Sequence, residues 1–206
     1  MKIDFDVLQA SFWSLTYVLI IFYNLRHHIL GIPPIAILAN FAWETAAMIQ
    51  DIHGQIISPI HIAWFSLDLV IIVTYLLSCA PAYFKRKHDI YIYIYILSVY
   101  TICLAVFLFL FSRGGMLLSS FLIDCTMAIE YCVYSFRPQF TKHPLSIAIS
   151  SAKLIGDLCA WIYYKSFSPA VFYIGLIVLV LNLICFGNTL LPLIHRAESR
   201  PPEVNA

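Results

Sequence analysis

The sequence predicts an all-α polytopic membrane protein, a bundle of seven transmembrane helices with almost no soluble mass. Of its 206 residues 62% are hydrophobic and 11% charged, against about 45–50% apolar and about 25% charged in soluble domains. Seven apolar stretches each approach the roughly 20 residues that a helix needs to cross a hydrocarbon core of about 30 Å. The connections between them are too short to separate two domains, so residues 1–206 read as one transmembrane domain.

The first expected span, near 7–25, follows Lys2, Asp4 and Asp6. No small-residue cleavage site follows it, so this helix is expected to stay in the mature protein. Spans near 32–50, 60–80, 145–164 and 169–193 open at Pro33-Pro34, Ser58-Pro59, His143-Pro144 and Ser168-Pro169. Proline suits a first helical position, because the N–H it lacks would have no helical partner there. The span near 90–111 begins with Tyr91-Ile92-Tyr93-Ile94-Tyr95 just after a basic cluster and reads as an interfacial aromatic belt. The span near 115–134 follows Arg113-Gly114-Gly115, and a short tail covers 194–206.

Basic residues set the expected orientation. Arg26, Lys85, Arg86, Lys87, Arg137, Lys142, Arg196 and Arg200 fall on one side, against Lys2, Arg113 and Lys165 on the other. The positive-inside rule then places the N-terminus outside, or in a lumen, and the C-terminus in the cytoplasm. The natural locations are the endoplasmic reticulum in a eukaryote and the inner membrane in a bacterium. The openings of the second and sixth spans, Pro33-Pro34-Ile35-Ala36-Ile37 and Pro144-Leu145-Ser146-Ile147-Ala148-Ile149, are faintly alike, as an internal duplication would leave them.

The six cysteines lie in or at the ends of apolar stretches without CxxC or Cys/His spacing, which reads as packing rather than zinc binding. With its few basic residues in short clusters between spans, the chain is not expected to bind nucleic acid.

Six ionisable residues fall inside the expected spans: Glu44, Asp68, Asp124, Glu130, Lys153 and Asp157. A charge at the bilayer centre costs at least about 2.5–3.5 kcal/mol on insertion scales. Such residues either pair between helices, reach water near a surface, or mark a site. Glu130, near the cytoplasmic end, best fits the second explanation. Glu44, Asp68, Lys153, Asp157 and Asn182 all count to the middle or outer half of the membrane, and four helices could therefore contribute to one pocket. Asn40 with Glu44, Trp64 with Asp68, and Lys153 with Asp157 are i,i+4 pairs sharing a helix face.

Pairing of Lys153 with Asp157 would leave Glu44 or Asp68 as a carboxyl without a cation. A neutral acid in an apolar cavity is what proton donation to an alkene or epoxide requires. Aromatic faces such as those of Trp43 and Trp64 would then stabilise the resulting carbocation.

At Gly31-Ile32-Pro33 and Asn40-Phe41-Ala42-Trp43-Glu44, the sequence resembles the membrane-bound terpene cyclases of fungal meroterpenoid and indole-diterpene pathways, of the pyripyropene and paspaline type. Trp64-Phe65-Ser66-Leu67-Asp68, and Ser146 with Lys153-Leu154-Ile155-Gly156, extend the resemblance over residues 12–190. It implies a seven-helix fold without metal or cofactor. It also implies a hydrophobic prenylated small molecule as substrate, protonated at an epoxide or alkene by the glutamate of the Asn-x-x-Trp-Glu motif, here Glu44. The family's second acid lies in a Leu-Asp-Leu segment of the last helix, where this chain has Leu181-Asn182-Leu183. Either Glu44 works without that partner, Asn182 hydrogen-bonding Glu44 or the substrate, or another acid such as Asp157 replaces it.

The resulting candidates are Glu44, Asp68 and Asp157 for catalysis and Asn40, Trp43, Trp64, Lys153 and Asn182 for substrate binding, with no metal ligands. The expected function is that of a protonation-initiated cyclase of secondary metabolism, a lyase or isomerase. A small proton-coupled transporter, with Glu44, Asp68 and Lys153 near the midplane, is the alternative. A third reading is an assembly subunit whose buried charges pair with another membrane protein.

Overall fold

The computed structural model describes residues 4–55, 57–79 and 89–198, and all regular structure among them is helical. Among the described residues seven long helices follow one another: α1 (Phe5–His27), α2 (Pro34–Gly54), α3 (Pro59–Thr74), α4 (Asp89–Ser112), α5 (Met116–Tyr134), α6 (Pro144–Tyr164) and α7 (Pro169–Glu198). Helix α3 continues into a π-helical turn, Tyr75–Cys79, and a one-turn helix, Pro138–Thr141, separates α5 from α6. Of the basic residues used for orientation, Lys2, Lys85, Arg86, Lys87 and Arg200 lie outside the described residues, as does the tail from 199. In the Tyr91–Tyr95 run, side chains are described from Ile94 onward.

Local chemistry sets the helix ends. Asp4 caps α1, its Oδ1 accepting the backbone N–H groups of Asp6 at 3.1 Å and Val7 at 3.4 Å. Pro34, Pro59, Pro144 and Pro169 are each the first residue of a helix. Ser168 Oγ accepts Val171 N at 3.2 Å and so caps α7.

Among the described residues, six helices are long and apolar enough to cross a membrane: α1, α3 with its π-helical turn, α4 from Ile94, α5, α6 and α7. The chain is an integral membrane protein. Helix α1 shows why hydrophobicity alone does not reveal which face is inside. Leu15, Val18, Phe22 and Leu25 form an outward stripe, while Trp13, Tyr17, Ile20 and Asn24 are buried. Both faces are largely apolar because the surrounding solvent is lipid.

Helix α2 is the exception to that composition, carrying Asn40, Glu44, Gln50 and Asp51. It is enclosed by protein. Ala36, Ala42, Ala46 and Ala47 are fully buried, small residues that let α3, α4 and α5 approach its backbone. Helix α1 packs most extensively on α6, which packs in turn on α7. At Gly156 of α6 an added Cβ would lie 3.1 Å from Trp13 Cδ1, so the glycine seats the tryptophan of α1.

Five cysteines, Cys103, Cys125, Cys132, Cys159 and Cys185, are free thiols, and the last two are buried among helices. Glu130 is partly buried and lines a groove of about 340 Å³ with Pro33, Tyr75, Tyr95 and Arg137.

Candidate functional site

A cavity of about 70 Å³ lies among α1, α2, α3, α5 and α6, walled by Trp13, Tyr17, Asn40, Trp43, Glu44, Trp64, Phe121, Asp124 and Met127, among others. It shares Gln9, Trp43, Trp64 and Ser120 with a larger vestibule of about 920 Å³. The vestibule also touches Asp6, Ser14, Ile60, His61, Gly114, Leu117, Tyr164 and Phe167. These residues sit toward the N-terminal ends of α1, α3 and α5 and at or just past the C-terminal end of α6, so the vestibule occupies the end of the bundle where α1 begins. Aromatic rings and buried polar groups therefore face one funnel.

Two of the wall tryptophans are fixed by a neighbour. Trp43 Nε1 donates to Ser119 Oγ at 3.0 Å, and its ring meets Phe111 edge-on at 5.7 Å. Trp64 Nε1 donates to Ser14 Oγ at 3.1 Å, tying α3 to α1. These indole hydrogen bonds fix the two rings at the cavity wall.

Two polar clusters approach the cavity from different sides. In the first, Asn40 Nδ2 donates to Tyr17 Oη at 2.8 Å and to Asp68 Oδ2 at 2.7 Å. Asp68 is fully buried behind Asn40, and its Oδ1 has no hydrogen-bond partner among the described residues. Glu44, one helical turn beyond Asn40, is 2% exposed and lines the cavity, and its Oε2 also lacks a partner. A buried polar atom without a partner forgoes the hydrogen bond that nearly all such atoms have. A ligand group at Glu44 would supply it.

In the second cluster Lys153 Nζ donates to Asp157 Oδ2 at 2.6 Å and to Asp124 Oδ1 at 2.9 Å. Asn182 Nδ2 donates to the same Asp157 oxygen at 2.5 Å. The Trp13 ring lies over the lysine, 4.5 Å from Nζ to the ring centroid. The i,i+4 ion pair read from the sequence is thus present, with Asp124 as a second carboxylate from another helix.

The structure brings Asn40, Trp43, Glu44 and Trp64 to the cavity wall and sets Asp68, Lys153, Asp157 and Asn182 behind it. The expected hydrogen bond from Asn182 to Glu44 is not the one formed: its Nδ2 donates to Asp157 Oδ2 on the adjoining α6. Five of these wall residues were missed: Trp13, Tyr17, Phe121, Asp124 and Met127. Trp13 and Tyr17 are themselves an i,i+4 pair on α1, a signal lost among the chain's many aromatics. Asp124 stood out as a charge inside a span, but only the tertiary fold, which brings it within reach of Lys153 on α6, gives it a partner and a place on the cavity wall. Met127, one turn beyond Asp124, carried no signal beyond its apolar character.

Comparison with family models, with curated proteins and with solved structures finds no match to this chain.

Proposed function

We propose that this protein is a metal-independent terpene cyclase that protonates an epoxide or alkene at the end of a prenyl chain and guides the carbocation to a ring. The observation that carries the reading is the buried Glu44 carboxyl, one oxygen without a partner, in a cavity walled by Trp13, Tyr17, Trp43 and Trp64. A general acid must reach the reacting atom, and a cation needs a surface that attracts it without adding to it. Both requirements meet at this position.

Size indicates how the substrate would lie. An engineered cavity of about 150 Å³ holds one benzene ring, so a space of about 70 Å³ admits only the tip of a prenyl chain. The vestibule of about 920 Å³ has room for the rest. The terminal epoxide or alkene enters first, and the bulk of the molecule stays in the vestibule until cyclisation compacts the chain.

In the epoxide case Glu44 gives its proton to the oxygen as the C–O bond to the more substituted carbon breaks. The product of that step is a hydroxyl group and a tertiary cation, which the next alkene attacks to close a ring. Asn40, held by Asp68 and Tyr17, orients the substrate beside Glu44. Asp157 serves through Lys153 and Asn182 rather than by touching substrate.

In this reading α2 is the seventh crossing. Its 21 residues rise about 31 Å at 1.5 Å each, which matches the hydrocarbon core. Its polar residues are tolerated because protein rather than lipid surrounds them. The N-terminus then lies outside or in a lumen, and the vestibule opens on that side.

The test uses membranes containing the parent or Glu44→Gln, incubated with a farnesylated aromatic and its terminal epoxide and analysed by mass spectrometry and chromatography. The parent is expected to form an isomeric cyclised product that Glu44→Gln does not. Equal product from both would remove Glu44 as the acid. No product from the parent across a range of prenyl lengths, together with proton-coupled solute uptake in vesicles, would replace the cyclase by a transporter.

A further inference from the structure

Two carboxyls line the deep cavity, and their surroundings differ. Glu44 lacks any hydrogen bond or ion pair among the described residues, whereas Asp124 is an ion-pair partner of Lys153. The Lys153–Asp124–Asp157 cluster sets two carboxyl groups against one amine. Only the Asp124 end of it reaches the cavity. Lys153 is 2% exposed and lies behind Trp13, whose ring also lines the cavity. A molecule in the cavity therefore meets a carboxylate and an indole face, both of which attract positive charge, while the ammonium stays out of reach. Lys153 takes one Asp124 oxygen, Oδ1, and no other hydrogen bond among the described residues engages the carboxylate.

We propose that Asp124 is the fixed anion of this cavity: it binds the positively charged centre of a prenyl-derived skeleton and accepts the proton whose loss ends the cyclisation. The second half rests on the cyclase reading; the first does not. Glu44 gives one proton to the epoxide oxygen at the start. At the end the C–H bond next to the last cationic carbon breaks, its electron pair becomes the C=C bond, and the proton passes to Asp124. Return of that proton to Glu44 through water restores both groups, so the overall reaction is an isomerisation that needs no other reactant. Lys153 is a positioning residue, holding Asp124 on the wall.

The probes are N,N-dimethylfarnesylamine, whose ammonium imitates the carbocation, and uncharged farnesol. Binding to the full chain in lipid nanodiscs is followed by quenching of tryptophan fluorescence, with empty nanodiscs subtracted. Asp124→Asn is expected to weaken amine binding at least about tenfold, a difference of about 1.4 kcal/mol, while farnesol binding is unchanged. Asp124→Glu, which keeps the charge, should retain the preference for the amine. Asp124→Asn binding both probes as the parent does would overturn the proposal. If Asp124→Asn loses both, Asp124→Glu decides: a retained amine preference supports the anion and a lost one overturns it. With the epoxide substrate, Asp124→Asn should still consume starting material but release water-quenched alcohols in place of the alkene, and an unchanged alkene yield would overturn the proton-acceptor role. No consumption by the parent would remove the cyclase reading, while the amine data would still judge Asp124.

Discussion

Replacing Lys153 by methionine removes the cation at the centre of a buried cluster while nearly preserving side-chain length. In the folded protein Nζ lies 2.9 Å from Asp124 and 2.6 Å from Asp157, and the lysine and Asp157 side chains are 2% and 1% exposed. The variant leaves two carboxylates facing each other without a counterion. Removing one partner of a buried pair costs about 3–5 kcal/mol. For a chain of this size each kcal/mol is about 2–4 °C in Tm, so Lys153→Met should melt about 6–20 °C below the parent. The assay is thermal unfolding in nanodiscs followed by circular dichroism. The triple variant Lys153→Met, Asp124→Leu, Asp157→Leu carries no unpaired charge and should recover most of the loss, since apolar replacement of a whole buried triad is often neutral or stabilising. A Tm for Lys153→Met within about 2 °C of the parent, a margin of at most about 1 kcal/mol, would refute the ion-pair account. A triple variant no better than the single would show that lost packing rather than stranded charge causes the damage.

Other variants probe separate parts of the structure. At Gly175 an added Cβ would lie 2.5 Å from Trp161 Cδ1 and 3.2 Å from Phe121 Cε1. Because Trp161 Nε1 also donates to Phe172 O, the ring cannot retreat freely, and Gly175→Val should cost about 1–3 kcal/mol in a melting experiment. Asn24 is fully buried, accepting Gly31 N at 2.7 Å and donating to Thr74 at 3.3 Å. Asn24→Leu should lower stability by about 1–3 kcal/mol, the usual cost of stranding buried polar groups, with an unchanged melting curve as the contrary result. Trp43→Phe loses the Nε1 bond to Ser119 but keeps an aromatic face. It should alter the proportions of cyclised products more than the rate of substrate consumption, and the reverse pattern would count against a cation-guiding role. A C-terminal green fluorescent protein fusion should fluoresce and a C-terminal alkaline phosphatase fusion should be inactive if the C-terminus is cytoplasmic; active phosphatase would invert the orientation.

Most of the helical architecture was legible along the chain. Apolar length and the prolines at 34, 59, 144 and 169 mark where helices run and begin, because both act on the local backbone. Within α2, Asn40 and Glu44 stood out in an apolar stretch and proved to be buried. The lysine–aspartate pair on α6 followed from helical spacing alone. Gly175 was passed over, because the reason for a glycine there is a tryptophan ring on a neighbouring helix.

The sequence by itself determined that this is a helical membrane protein and that several of its ionisable groups must be sheltered from lipid, because backbone satisfaction and the cost of charge in hydrocarbon act on each segment separately. Tertiary structure alone decided how those groups divide: Lys153 chose Asp124 as well as Asp157, Asn182 was taken by Asp157, and Glu44 was left facing a cavity. That division depends on how each helix is rotated about its axis. In lipid both faces of a helix are apolar, so hydropathy supplies no strong signal for the rotation, and packing between small and large side chains sets it instead.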